Sequence, residues 1–180
     1  PVLAVRMEVA RTLAPLVSLD GQPEAQKKRL EAALEEYRAT QLATAERPES
    51  HLNIGLVELA ANDPQAAERA YRTAIRLDPR FGPAYANLAD LYRALGRDAD
   101  GEAVLSEGLA KLPDDASLHH ALGLLQIRSK DLPGALESLA RAARLAPENA
   151  RYAYVYALAV QGSGDVPKAI AILEAANARH

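Results

Sequence analysis

Three proline-ending dipeptides, Asp78-Pro79, Leu112-Pro113 and Ala146-Pro147, stand 34 residues apart. A fixed period of this length constrains the fold more than any other feature, because each period must be one supersecondary unit that buries its apolar face against its neighbours. The same spacing brings the rest of the chain into register. Small residues recur at Ala67, Gly101, Ala135 and Ala169, each followed four positions on by Tyr71, Leu105, Leu139 or Leu173. A second small set follows at Ala74, Gly108, Ala142 and Ala176. Earlier in each period Ile54, Leu88, Leu122 and Tyr156 precede Gly55, Ala89, Gly123 and Ala157. From position 48 to position 180 no insertion or deletion is needed.

This pattern predicts two antiparallel helices per period. The small residues let helices approach closely and the large ones fill the space between them. Each proline follows the second helix, where it cannot continue it. Turn residues divide the two helices at Asn62-Asp63-Pro64, Gly96-Arg97-Asp98, Lys130-Asp131 and Gly162-Ser163-Gly164-Asp165. The apolar content is largely Ala and Leu, both strong helix formers.

The stretch Ala84-Tyr85-Ala86-Asn87-Leu88-Ala89-Asp90-Leu91-Tyr92, closing at Gly96, together with the 34-residue period, resembles the tetratricopeptide-repeat (TPR) family. The resemblance covers about three quarters of the chain. It implies an all-α fold, a right-handed α-solenoid of stacked antiparallel helix pairs preceded by two N-terminal helices. The expected repeats are 48–81, 82–115, 116–149 and 150–180.

Residues 1–47 follow the period only in part. Ala33 and Tyr37 lie one period before Ala67 and Tyr71, so 24–46 reads as the second helix of a degenerate repeat, with Leu30, Ala33, Leu34, Tyr37 and Leu42 as its apolar stripe. Asp20, Gly21 and Pro23 replace the matching first helix and predict a loop over 18–23. Residues 2–17 are expected to form an amphipathic helix, with Val2, Val5, Val9, Leu13 and Leu16 on one side. Its run Val5 to Ala14 resembles the second helix of a HEAT-type repeat; a plain capping helix is the alternative. The chain opens at Pro1, inside this helix, which suggests a piece of a longer protein.

No catalytic constellation emerges. The formal net charge of −3 argues against a general nucleic-acid or membrane-surface role. The absence of cysteine excludes disulfides, zinc-thiolate sites and thiol catalysis. No run of 18 apolar residues predicts a membrane span. His51 and His119 share a register position where the family packs a large ring between helices, so both read as packing residues. His119 and His120 point about 100° apart on a helix and cannot ligate one metal from one face. Glu35-Glu36 and Asp114-Asp115 read as solvated carboxylates. Gly162-Ser163-Gly164 follows a helix, not a strand, and lacks the lysine of a phosphate loop. Lys27-Lys28-Arg29 precedes Glu31, Glu35 and Glu36, a pattern of paired helix-surface charges. The expectation is a non-enzyme with no metal or cofactor.

The family resemblance places ligand-facing positions on the first helices, along a concave groove. By register these are Leu52, Leu56, Asn87, Asp90, Arg93, His120, Leu124, Ile127, Arg151, Tyr154 and Leu158. The groove does not match the carboxylate clamp of chaperone-binding TPRs, because Leu52, Leu56, Asn87, Ser117 and Ala121 occupy the clamp positions and Asn87 alone agrees. Starting one repeat later retains only Arg151. The lining is apolar at both ends with a polar band between, which points to an apolar or amphipathic peptide or helix as partner. The N-terminal helix covering Leu52, Leu56 and Leu59 is the competing reading. Ile170, Leu173 and Ala176 are expected to face outward from the last repeat, so that either the protein continues or this face pairs with a second copy.

A second resemblance is carried by the HEAT-like helix, then Arg47 to Gly55, His119 to Leu124 and Arg151 to Tyr156. It is similar to the C-terminal regions of bacterial exported multihaem cytochrome proteins. This implies a non-catalytic accessory domain, with haem held elsewhere, since no Cys-x-x-Cys-His occurs here. It also implies an exported or periplasmic location, against a cytoplasmic one if the resemblance fails.

Overall fold

A computed structural model describes residues 23–179 and contains, among them, helices joined by short turns and no strand. The helices are α1 (Glu24–Leu42), α2 (Pro48–Ala60), α3 (Pro64–Leu77), α4 (Gly82–Ala94), α5 (Asp98–Lys111), α6 (Ala116–Arg128), α7 (Leu132–Leu145), α8 (Ala150–Gly162) and α9 (Val166–Asn177). The expected helix over 2–17 and the greater part of the loop over 18–23 lie outside the described residues. Two compact units divide the chain between Asn87 and Leu88, inside α4.

The turn inside each repeat is built the same way. Asn62, Gly96, Lys130 and Gly164 have φ of 61°, 72°, 64° and 96°, the left-handed region, at 34-residue spacing. The next residue sends its backbone N–H back to the carbonyl of Glu58, Tyr92, Gln126 or Val160. This is the Schellman arrangement, which satisfies carbonyls left orphaned at a helix end. That same next residue then caps the second helix. Asp63, Asp131 and Asp165 accept hydrogen bonds from the N–H of Ala66, Gly134 and Lys168. The second repeat has Arg97 here and no side-chain cap; its guanidinium lies over the Tyr92 ring at 4.3 Å.

The loop between repeats is held by a ring at one register position. His51 Nε2 lies 2.9 Å from the Ala45 carbonyl, and His119 Nε2 lies 2.9 Å from that of Pro113. The Tyr85 hydroxyl donates to the Pro79 carbonyl at 3.1 Å. A carbonyl only accepts, so both histidines carry a proton on Nε2. They are structural residues, as their shared register suggests.

In the first compact unit, α1 packs on α2 and α2 on α3. Leu34 and Tyr37 of α1 form a buried cluster with Val57 and Ala60, and Leu30 packs against it. Arg38 joins its guanidinium to both Glu58 oxygens at 2.9 Å, a fork-to-fork pair that fixes α1 on α2. Tyr71 is fully buried over Gly55, where a Cβ would lie 2.2 Å from its ring.

In the second unit, α5 packs on α6, α6 on α7, α7 on α8 and α8 on α9. Gly123 plays the part of Gly55, because a Cβ there would meet Leu139 Cγ at 2.6 Å. Arg128–Asp98 and Ser129–Glu102 contacts tie α6 to α5. Ala169 and Ala176 are buried on α9. The expectation that Ala176 faces outward with Ile170 and Leu173 is therefore corrected. Seven residues advance a helix by about 700°, which returns Ala176 to within about 20° of Ala169. Ile170 and Leu173 are exposed.

Candidate protein-binding surface

The first helices α2, α4, α6 and α8 carry the positions singled out from the sequence. In the first compact unit, Leu52 and Leu56 of α2 are half-buried, as is Asn87 of α4. In the second, Asp90 and Arg93 of α4 are exposed and pair with each other at 3.1 Å. Leu124 is half-buried, while Ile127, Tyr154 and Leu158 are exposed at 41%, 53% and 46%. Arg151 is exposed. Large apolar side chains held this open to water on two successive first helices are of the kind that marks a partner site.

His120 departs from the expectation. It is only 7% exposed, and its ring stacks on Tyr152 of α8 with centroids 4.5 Å apart. Neither ring nitrogen has a hydrogen-bond partner among the described residues. Burial, followed by the positive charge of Arg151, pushes its pKa below the ordinary value, and the Asp90 carboxylate opposes them. His120 is therefore a neutral joint between α6 and α8 rather than a polar contact open to a ligand. The sequence hid this because its register position carries Leu52, Ala86 and Tyr154 elsewhere, with no fixed chemistry. Tyr152, its partner, was missed for the same reason. Burial, with the Asp115 charge next, pushes the Tyr152 phenol up.

Among the described residues, no group of three or more His, Asp or Glu side chains comes together as a metal site, and no helix is long and apolar enough to cross a membrane.

Sequence profiles described as tetratricopeptide repeat match residues 58–125 and 120–179. The chain belongs to the tetratricopeptide-repeat family. No curated protein sequence matches it. Solved TPR-type structures share the fold. A thermophilic TPR protein of Thermus thermophilus superposes with a TM-score of 0.66 at 23% identity, covering 88% of this chain and 81% of its own. MamA from Desulfovibrio magneticus RS-1 gives 0.62 at 19% identity, covering 95% and 93%. PilW, a type IV pilus biogenesis factor, gives 0.66 at 15% identity, covering 99% and 77%. At these identities the likeness is one of fold. TPR folds are in general non-catalytic modules for protein interaction, and this chain has a TPR protein-interaction scaffold.

Proposed function

We propose that the chain holds a partner peptide or helix against the first helices of its repeats, through apolar contacts flanked by charge. The observation that carries this reading is the exposure of Ile127, Tyr154 and Leu158 on α6 and α8. An amphipathic helix would bury such side chains with its own apolar face. Arg151 and the Asp90–Arg93 pair would set its direction more than its affinity. Leu52, Leu56 and Asn87 would serve the same purpose in the first compact unit. Affinity near 1 μM, about 8 kcal/mol, is in keeping with a few such anchors.

Selection of displayed amphipathic peptides on the purified chain tests this. Leu124→Glu with Tyr154→Glu should abolish binding of the selected peptides while circular dichroism stays unchanged. Peptides that bind the folded double variant as well as the parent would place the binding surface elsewhere.

A further inference from the structure

A cavity of about 610 Å³ lies in the second compact unit, walled by α5, α6 and α7. It is not the surface just described. On α6 it takes His119, Leu122 and Gln126, which centre about 130° around the helix from His120, Leu124 and Ile127.

Register explains why the cavity exists. Gln126 sits one period after Tyr92 and one before Val160; Ser138 sits one period after Val104 and one before Ile172. In the second repeat Tyr92 and Val104 are both buried. In the fourth, Val160 and Ile172 pack in one apolar cluster. The third repeat alone of these three replaces that filling with a polar pair, in which the Ser138 hydroxyl donates to Gln126 Oε1 at 2.7 Å. Ser138 is 7% exposed. Gln126 is half-buried, and its amide NH₂ donates to none of the described residues, which leaves it open to the cavity.

The charges on the walls are unbalanced. Arg141 gives Nη2 to Asp114 at 2.7 Å, but its Nε is buried without a partner among the described residues. Arg144, one turn further on α7, has no ion pair among the described residues. Glu137 is the carboxylate in the lining. Leu109 and Leu122 supply apolar wall. Donors beside apolar surface, with a volume inside the usual range for ligand pockets, make a site for an amphipathic molecule.

We propose that this cavity binds a monoanionic carboxylate on a branched apolar body, of the size of a leucine with a free α-carboxylate. The carboxylate answers the Arg144 guanidinium, as guanidinium geometry favours. The apolar body lies against Leu109 and Leu122, and an adjacent carbonyl accepts from the Gln126 amide. Glu137 disfavours a dianion such as phosphate. The molecule is either a free acid or the C-terminal residue of a peptide.

The test titrates the whole chain with N-acetyl-leucine, N-acetyl-leucinamide and an acetylated hexapeptide ending in leucine, followed by isothermal calorimetry and amide chemical shifts. The acid should bind at least about tenfold more tightly than the amide. Gln126→Tyr with Ser138→Val, the second-repeat residues at these positions, should fill the cavity and remove binding. Arg144→Ala should weaken the acid about tenfold and leave the amide unchanged. Tighter binding of the peptide than of the acid identifies a C-terminus as the source; binding of the acid alone identifies a free metabolite. Equal affinity for acid and amide, no saturation by about 10 mM of acid and peptide, or binding retained by the folded filled variant would each overturn the proposal. Should the filled variant not fold, unchanged acid affinity in Arg144→Ala overturns it alone.

Discussion

Gly123 and Leu139 give the sharpest test of how small and large residues interlock across a repeat. Leu139 is fully buried, so Leu139→Ala should cost about 3 kcal/mol in lost transfer energy and residual cavity. Gly123→Ala carries two opposed effects. The helix interior gains about 1 kcal/mol from the better helix former. Against that, the new Cβ lies 2.6 Å from Leu139 Cγ and 2.8 Å from Cδ2. Cγ is the branch point next to the backbone and cannot swing clear as a chain end could. Such overpacking costs about 1–3 kcal/mol, so the single variant should be neutral to about 2 kcal/mol less stable than the parent. In the Leu139→Ala background the two Leu139 atoms are gone, and only the Ala135 carbonyl oxygen, at 3.3 Å, stays close. There the same methyl keeps its propensity gain, fills part of the cavity, and should stabilise by about 1 kcal/mol. The sign of one substitution thus reverses with the residue facing it, a coupling of about 1–3 kcal/mol. Urea denaturation of the four proteins, with slopes compared to confirm that the same surface unfolds, measures it. If Gly123→Ala stabilises both backgrounds equally, Leu139 does not sit against Gly123, and the register argument fails at its central contact.

Two other predictions stand beside the binding tests above. His120→Leu removes a buried ring with two unsatisfied nitrogens and should gain about 1 kcal/mol at pH 7. Because the folded-state pKa of His120 is lowered, the unfolded chain takes up its proton first. His120 therefore contributes a stability loss that begins as pH falls through about 6.5, with Arg151 adding to it and Asp90 opposing it. The gap between variant and parent in thermal melts should widen from pH 7 to pH 5; a constant gap would mean that the ring is already solvated. At the within-repeat turns, Lys130→Gly should stabilise by about 1 kcal/mol and Gly164→Ala destabilise by about as much, since both positions have positive φ. Denaturation midpoints moving in the same direction for both would refute the shared turn geometry.

The 34-residue period was enough to identify the family, the helix pairs and the recurring small and large positions, while the structure supplied the particular contact of Tyr71 over Gly55. Those follow from local spacing, because a helix turns by a fixed angle per residue and the repeated units meet their neighbours alike. The placing of Ala176 was equally available from that angle, and the outward reading of it neglected its separation of about 20° from Ala169. The packing role of His51 and His119 was legible too, though not the carbonyls they hold, which lie six residues back across a loop. What sequence could not decide is where two periods meet in different ways. His120 was expected in the groove as a polar contact, yet the Tyr152 ring on α8 covers it. The Gln126–Ser138 exchange is visible in the register, but only packing shows that it leaves a cavity rather than a rearranged core. The physical reason is common to both. Periodicity fixes the direction in which each side chain points, whereas burial depends on the volume of whatever residue arrives opposite it, and that residue is set by tertiary contact.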